Sequence, residues 1–405
     1  MKIVNRQKNR NFLSAFVTGV FLWINFFLPL RIRRIALISL LPLALLCSSH
    51  QGSYLFTAKN NASYLGEKIP KSVGDSTSSR YIRDQKQRGM HFFGAWSPAA
   101  EHFQELVDNH IEWIVHVPYG WQDNVESTEI QLSIHNRGTW RKDASISNAA
   151  KTGRKYGLHS MLKPHLWLHN TTSDKWRGTI QFNNTADWKA WSASYEAFIL
   201  HYARLAAQLN MEAFCIGTEL HQTAIQHPEY WRALIRKVRK IFKGQLTYAA
   251  NWDREFEEIT FWEELDFIGV QAYFPLTDQK NPSVRKLVAG WQPAAARLEA
   301  ISRKHNRPIL FTEIGYKSTN DAAIEPWIWV NDISTFYTKQ SYKTQANCYE
   351  AFFRVFWKKD WFAGAHMWQW KAGIDIKQGK GNISFTPQQK PAQNIMAKWF
   401  GKVVR

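Results

Sequence analysis

The amino-acid sequence predicts an α/β protein built as a single (β/α)8 TIM barrel, and three observations carry this prediction. Short apolar runs alternate with helical segments from residue 90 to the end of the 405-residue chain. There are eight such runs, and alternation of strand and helix implies parallel pairing of the strands. Polar residues also collect at the C-terminal ends of the runs, where a barrel gathers its functional groups.

The eight strand-like runs are short, and most of their residues are apolar. They are residues 91–97, 112–119, 158–167, 212–220, 245–252, 266–274, 308–316 and 362–370. The clearest helical segments are residues 98–111, 188–209, 284–305 and 391–400. A doubly wound open sheet is the alternative fold, but no Gly-rich phosphate-binding loop follows the first run.

Residues 1–50 predict export of the protein. Two apolar stretches, residues 11–30 and 35–49, each follow basic residues, and the segment contains no acidic residue. The second stretch has the length of the apolar part of a signal peptide, whereas the first is just long enough to span a bilayer. We therefore expect a periplasmic, cell-surface or membrane-anchored protein, with residues 1–50 either cleaved or kept as the anchor.

The predicted domain organisation has three parts. The export signal or anchor is followed by a polar linker, residues 51–89, and then by the barrel, residues 90–405. Cys47 is also a candidate attachment residue for a lipoprotein anchor, although Leu46 before it is large for the usual cleavage position. We expect the barrel to be a monomer.

The composition argues against several partners. Seven of the 52 basic residues lie in the first 50 positions, and the remaining excess over 33 acidic residues is dispersed. Since no nucleic-acid motif accompanies it, we predict no nucleic-acid partner. The three cysteines, Cys47, Cys215 and Cys348, form no metal or disulfide spacing, and we predict no cofactor. Tryptophan is abundant, with 20 residues, and its flat rings stack on sugars when they are not used in the core.

Polar or aromatic residues at the ends of six runs predict one converging site. Alternate residues of a strand share a face, so the side chains at positions i and i+2 point together. The candidate residues, from the third run to the eighth, are Lys163, His165, Glu219, Asn251, Gln271, Tyr273, Glu313, His366, Trp368 and Trp370.

Two of these residues, Glu219 and Glu313, predict the chemistry. Each follows a threonine at the end of an apolar run, the fourth and the seventh, and a barrel brings those two strands to opposite sides of its mouth. Two carboxyl groups are what cleavage of a glycosidic bond requires. A separation of about 5–5.5 Å is typical of retention and roughly 6.5–9.5 Å of inversion. The alternative for each residue alone is a helix cap or a salt bridge.

The same strand ends lie in longer motifs: FCIGTEL, LFTEIGYKS, HSMLKPHLWL, AANW, GVQAYFPL and FTPQQKPAQNIMAKWF. Through these motifs residues 90–402 resemble glycoside hydrolase family 113, retaining β-1,4-mannanases of a large clan of barrels. The resemblance implies that Glu219 is the acid/base and Glu313 the nucleophile. It also implies that Tyr273 donates a hydrogen bond to the nucleophile and that Trp368 or Trp370 lies under the sugar.

One position departs from the clan pattern. The asparagine that usually precedes the acid/base is Thr218 here, so we expect Asn251 or His165 to contact the sugar 2-hydroxyl instead. We also expect Lys163 and Gln271 to bind substrate. Two long loops, residues 167–182 and 317–341, are candidate cleft walls, the first with Trp167 and Trp176 and the second with Trp327 and Trp329.

Two other functions stay open on the sequence alone. A metal-dependent barrel hydrolase would use histidines at strand ends, but the first run offers His91 alone rather than a His-x-His pair. A sugar-binding barrel without catalysis would not need both carboxylates. The prediction is therefore a glycoside hydrolase acting on a β-linked polysaccharide or oligosaccharide, with β-1,4-mannan implied by the resemblance.

Overall fold

A computed structural model describes residues 81–404 with the exception of residues 82, 95–97, 133–142, 173, 330–337 and 373–381. The chain divides into two units, Met1–Ile69 and Pro70–Arg405, and all described residues belong to the second. The predicted export segment and residues 51–80 of the predicted linker lie outside the described residues. Among the residues that are described, no helix has the length and apolarity needed to cross a membrane.

Eight parallel strands close into a barrel in chain order, which confirms the predicted fold class. The barrel strands are β1 (Gln87–Gly94), β2 (Trp113–His116), β5 (His159–Leu162), β7 (Ala213–Thr218), β8 (Gln245–Asn251), β9 (Phe267–Gln271), β10 (Ile309–Ile314) and β11 (Phe362–Ala372). The first strand begins four residues before the predicted run, and the last ends two residues after it.

Two of the predicted runs are each divided into two strands. The second run contains β2 and the start of β3 (Tyr119–Gln122), and the third contains β5 and most of β6 (His165–Leu168). Pro118 separates the first pair and Pro164 the second. Proline has no N–H to donate to a strand ladder, so a barrel strand ends there.

The strands β3 and β6 leave the barrel and form a side sheet with β4 (Gln131–Leu132). β3 pairs with β6 in parallel and with β4 in antiparallel orientation. Gly120 lies in the middle of β3, where an added Cβ would lie 2.8 Å from both Ile130 and Phe198. One face of the side sheet is therefore pressed against the helix that carries Phe198.

Helices connect the strands and cover the barrel. They are α1 (Ala100–Asp108), α2 (Asp143–Lys155), α3 (Thr185–Gln208), α4 (His221–Gln226), α5 (Pro228–Ile241), α6 (Glu255–Glu258), α7 (Val284–His305), α8 (Tyr342–Phe356) and α9 (Pro391–Phe400). The predicted segment 284–305 coincides with α7. The connection between β8 and β9 departs from the expected pattern, because its helix α6 has one turn and is followed by a short 3-10 helix.

The core has two parts, one between the barrel and its helices and one inside the barrel. The outer part buries large side chains, including Trp191, Trp231 and Trp291, so many tryptophans serve packing. The inner part contains Phe93, Trp113 and other side chains directed along the barrel axis. Cys215 in β7 and Cys348 in α8 are both buried and unpaired in disulfides.

Three barrel strands are irregular immediately before their functional ends. Each has one more residue than the strand beside it over the same stretch, which is the signature of a β-bulge. The bulges lie in β7 between Cys215 and Thr218, in β10 between Phe311 and Glu313, and in β11 between Met367 and Trp370. A bulge redirects the side chains that follow it, so it decides which of them enter the barrel mouth.

Candidate active site

The C-terminal ends of the barrel strands surround a cleft of about 550 Å³. Glu219 and Glu313 both line it, from the ends of β7 and β10. Asn251, Gln271 and Tyr273 line it as well. The converging strand ends expected from the sequence thus meet in one cavity.

Glu313 is almost fully buried and receives hydrogen bonds on both carboxylate oxygens. Tyr273 donates its hydroxyl to Oε1 at 2.6 Å. Lys163 Nζ and Gln271 Nε2 donate to Oε2 at 2.8 and 3.1 Å. These three donors hold the carboxylate in one orientation.

Lys163 lies beneath the cleft, which differs from its expected role in binding substrate. Its side chain has no exposed surface, and Nζ also donates to Gln271 Oε1 at 3.0 Å and to the Thr312 carbonyl at 3.1 Å. Pro164 ends β5 beside it, so the lysine emerges at the barrel axis. Gln271 shares this arrangement, because its amide accepts from Lys163 and donates to Glu313.

Tyr273 stays protonated across the ordinary pH range. Burial and the adjacent Glu313 carboxylate raise the pKa of its hydroxyl well above the usual value of 10.0. A hydroxyl that keeps its proton remains a donor to Glu313, as the resemblance implied. Tyr273 comes two residues after the end of β9 and lies at the cleft surface.

The histidines around Glu313 are neutral. Burial, and next the charge of Lys163, lowers the pKa of His91 well below 6.5 and that of His366 to about 3. His91 Nε2 lies 3.6 Å from Glu313 Oε2, and His366 Nε2 lies 2.8 Å from Gln87 Oε1. His165 is buried beside Tyr119 and does not line the cleft, so it does not contact a sugar there.

Glu219 also lines the cleft, with a different set of partners. Its backbone adopts a φ of 53°, a left-handed conformation that turns the chain away from β7. Arg177 donates from Nε at 3.1 Å and from Nη2 at 2.6 Å to Oε2. Asn251 Nδ2 donates to Oε1 at 2.9 Å, so its amide holds Glu219 rather than facing a sugar as expected.

A buried carboxyl group, Glu255, supports the Glu219 side of the site. Its Oε2 accepts the backbone N–H of Asn251 at 2.6 Å, and its Oε1 accepts the hydroxyl of Tyr248. The Tyr248 oxygen in turn accepts the backbone N–H of Leu220 at 2.7 Å. Asn251 Oδ1 accepts from the Asp253 N–H, which leaves the amide nitrogen to Glu219. Glu255 is thus linked through Tyr248 to Leu220, the residue after Glu219, and directly to Asn251, which donates to Glu219.

Glu255 makes stability depend on pH. Burial raises its pKa from 4.5 to about 8, the hydrogen bonds from Asn251 and Tyr248 lower it, and the charge of Glu219 raises it. The folded state then holds this proton more tightly than the unfolded state, so the free energy of unfolding falls as pH rises from about 5 to about 8. Glu255→Gln removes this titration. The free energy of unfolding of the wild type minus that of the variant should therefore fall across this range, by at most about 1.4 kcal/mol per pH unit.

Urea denaturation of both proteins at pH 5, 6.5 and 8 measures this difference. The buried histidines His91, His116 and His366 contribute equally to both proteins and cancel. Glu229→Gln is the matched control, because Glu229 is an exposed side chain on α5. Its pH dependence should follow the wild type. A constant difference between wild type and Glu255→Gln would contradict the prediction.

Aromatic side chains form the walls of the cleft. They are Trp176, Trp252, Trp327, Trp329, Trp368 and Phe385. Both loops that the sequence marked as walls contribute, through Trp176 and through Trp327 with Trp329. Trp252 stacks on Trp327 with ring centres 4.9 Å apart, and Trp329 meets Trp368 edge-on.

The two tryptophans at the end of β11, Trp368 and Trp370, lie in different parts of the structure. Trp368 lines the cleft, whereas Trp370 is buried in the outer core and does not line it, contrary to the expected common face. The bulge in β11 is the physical reason, since an extra residue between Met367 and Trp370 breaks the alternation of sides. Trp368 is therefore the sugar platform candidate, and Trp370 is not.

The sequence analysis missed several residues of the site. Arg177 follows Trp176 in a loop named as a wall, but nothing in the local pattern indicated that it would pair with Glu219, 42 positions later. Trp252 and Asp253 directly follow Asn251 and also line the cleft. Their position just after a strand end was an available signal. Within the described residues, no group of three or more His, Cys, Asp or Glu is arranged to hold a metal ion.

Comparison with known proteins places this geometry in a family. Residues 90–390 match the model of Glycoside Hydrolase Family 113. The solved GH113 β-mannanase AaManA from Alicyclobacillus acidocaldarius, in complex with ManMIm, is 26% identical with a TM-score of 0.67, covering 79% of this chain and 98% of that one. A second solved GH113 β-1,4-mannanase is 25% identical with a TM-score of 0.65, covering 78% and 99%. Among curated proteins, none matches this chain.

Proposed function

The chain belongs to glycoside hydrolase family 113, and from this membership we propose that it cleaves β-1,4-mannan by a retaining double displacement. The coarser function, hydrolysis of O-glycosidic bonds, follows from the family itself. The observation that carries the mechanism is the presence of two carboxylates in one cleft with different partners. Glu313 is held by Tyr273, Lys163 and Gln271, whereas Glu219 is held by Arg177 and Asn251.

In the first step, Glu313 attacks the anomeric carbon of the bound sugar. The bond from that carbon to the leaving oxygen breaks, and Glu219 transfers its proton to this oxygen. The product is a glycosyl ester of Glu313 and a shortened sugar chain. Tyr273 and Lys163 suit this role of Glu313, because their hydrogen bonds orient it for attack.

In the second step, Glu219 acts as the base. It removes a proton from a water molecule, whose oxygen attacks the same anomeric carbon and displaces the Glu313 carboxylate. The two hydrogen bonds from Arg177 hold Oε2 of Glu219 in place. The first step needs Glu219 protonated. We propose that, as the substrate enters the cleft, the sugar unit that carries the leaving oxygen displaces the Arg177 guanidinium from Glu219 Oε2.

The substrate assignment rests on two kinds of support. The two relatives at 25% and 26% identity are β-mannanases that align over nearly their whole length. The cleft is open and walled by aromatic rings, which suits stacking on the faces of hexose units in a chain. The aromatic walls suit any β-linked hexose polymer, so the experiment compares mannan with other such polymers.

The test is reducing-end release by the full chain on mannan, glucomannan, xylan and β-glucan. We expect cleavage of mannan and glucomannan, with little release from the other two. Proton NMR during the first minutes of mannan cleavage should show the β-anomer of the product first, as retention requires. Initial appearance of the α-anomer would replace retention by inversion. A folded protein that binds these polymers without releasing reducing ends would favour the non-catalytic barrel.

Lys163 provides a test of the support beneath Glu313. We expect Lys163→Met to lower kcat on mannan by about 10²-fold, because a small displacement of a catalytic group has this effect. KM should change little, since Lys163 does not line the cleft. Lys175→Met is the matched control, because Lys175 is exposed and pairs with Glu126. A raised KM at unchanged kcat would instead give Lys163 a role in binding substrate.

A further inference from the structure

The side sheet carries a row of rings that the proposed mechanism does not use. On β3 and β6 the residues at alternate positions share one face, and the two strands pair in register. We call this surface the aromatic face; its members are Tyr119, Trp121, His165, Trp167 and His169. None of the five lines the cleft between Glu219 and Glu313.

The opposite face of the same sheet explains how the fold is held. Leu166 and Leu168 are buried in the outer core, and Gly120 lies close against Phe198 of α3. A small sheet packed on one side usually presents polar residues on the other. Here the other side presents aromatic rings, and packing does not account for the exposed ring of Trp167 at its outer end.

Exposure increases along the aromatic face away from the barrel. Tyr119 and His165 are buried, Trp121 is half-buried, and Trp167 is 37% exposed. Trp121 stacks on His169 with ring centres 5.0 Å apart, and Trp167 stands edge-on to Trp121. This arrangement supports Trp167 from the side and leaves part of its ring in contact with solvent.

The inner end of the aromatic face joins the interior of the barrel. Tyr119 belongs to the same interior cluster as Trp368 and Tyr273, and Trp121 packs against that cluster. Polar groups lie at the outer end, where Asn170 Nδ2 donates to Asp123 Oδ1 at 2.9 Å and both residues are exposed. Flat rings beside exposed amide and carboxylate groups are the chemistry that recognises a sugar unit, with its apolar face and its hydroxyls.

We propose that the aromatic face binds the substrate chain beyond the cleft, with Trp167 as the stacking platform for a distal sugar unit. The occupant is a β-linked hexose chain long enough to reach from Trp368 past Tyr119. The inference rests on the proposed function for the identity of the chain. It assigns the side sheet a role in selecting long substrates over short ones.

The first experiment measures binding without catalysis. Full-chain protein carrying Glu313→Ala is run in native gels containing soluble glucomannan, xylan or β-glucan, with and without Trp167→Ala. We expect glucomannan to retard the single variant and to retard the Trp167→Ala form less. Trp167→Phe keeps a ring at this position and should restore most of the retardation. Equal mobility of all three proteins in every gel overturns the proposal.

The second experiment measures dependence on chain length. Trp167→Ala should lower kcat/KM on a mannan polymer by about three- to tenfold, the effect of losing one ring stacking contact. On a short aryl mannoside its kcat/KM should equal that of wild type. Equal losses on both substrates, or none on either, overturn the proposal.

The two experiments separate failure of the proposal from failure of the proposed function. If the wild type cleaves no mannan but Trp167→Ala weakens retardation by any of the three glycans, the assigned substrate fails and the aromatic face stands. If mannan is cleaved and Trp167→Ala changes neither retardation nor chain-length dependence, only the aromatic face fails. A change in sedimentation on Trp167→Ala, with unchanged glycan binding, would identify a second copy of the chain as the occupant and overturn the proposal.

Discussion

Replacing Glu313 by alanine is expected to lower turnover of mannan by at least about 10⁴-fold, the scale of losing a covalent nucleophile. The loss follows from the proposed role of Glu313 as the attacking group, whose Oε1 is held by Tyr273 and whose Oε2 is held by Lys163 and Gln271. Lys163 keeps the Gln271 and Thr312 oxygens as acceptors, so we expect the barrel to stay folded. Initial rates and thermal unfolding of the purified variant measure both effects.

Rescue of Glu313→Ala by azide tests whether Glu313 is the nucleophile. The cavity left by Glu313→Ala admits a small anion, which can attack the anomeric carbon of an activated aryl mannoside directly. The product should be a mannosyl azide of inverted configuration. Glu229→Ala, an exposed substitution on α5, is the control and should behave as wild type. Retained activity on mannan in Glu313→Ala would remove this residue from the nucleophile role.

Replacing Glu219 by alanine is expected to have an effect that depends on the leaving group. On mannan the leaving oxygen needs a proton, and loss of general acid and base catalysis should lower kcat by about 10³-fold. On a dinitrophenyl mannoside the leaving group departs unaided, so the first step should continue. The second step still lacks its base, and a burst of dinitrophenol followed by slow turnover should be seen.

Azide again distinguishes the role. In Glu219→Ala it should attack the glycosyl ester of Glu313, speed the slow phase and produce a mannosyl azide of retained configuration. The contrast with the inverted product of Glu313→Ala follows from the opposite faces that the two residues serve. A variant that loses mannan and dinitrophenyl mannoside cleavage to the same extent, without a burst, would not have lost an acid/base.

Much of the fold followed from the sequence. The alternation of apolar runs with helical segments predicted the eight barrel strands, and the family match and the closed sheet confirm it. Strand boundaries were less accurate where proline intervened. Pro118 and Pro164 end β2 and β5, and the residues after them belong to the side sheet. The prolines were visible, but that the chain would pair again outside the barrel depends on contacts with α3.

The sequence predicted which residues belong to the site better than it predicted what those residues contact. The sequence placed Lys163, Asn251 and Gln271 at strand ends, and all three lie in or beneath the cleft. Their partners are carboxylates of the site, although contacts with substrate were expected. The expectation for Trp370 was wrong, because period-two reasoning assumes a regular strand and β11 contains a bulge.

The sequence by itself determined the barrel, the strand ends that meet at its mouth and the two carboxylates, because burial imposes a local period on residue type. The tertiary structure decided which groups touch. Lys163 reaches Glu313 across 150 positions, and Arg177 reaches Glu219 across 42. Such pairs depend on barrel closure, on bulges that redirect single side chains and on loops that fold back over the mouth. None of these leaves a periodic trace in the chain, so the different partners of the two carboxylates are seen only in the structure.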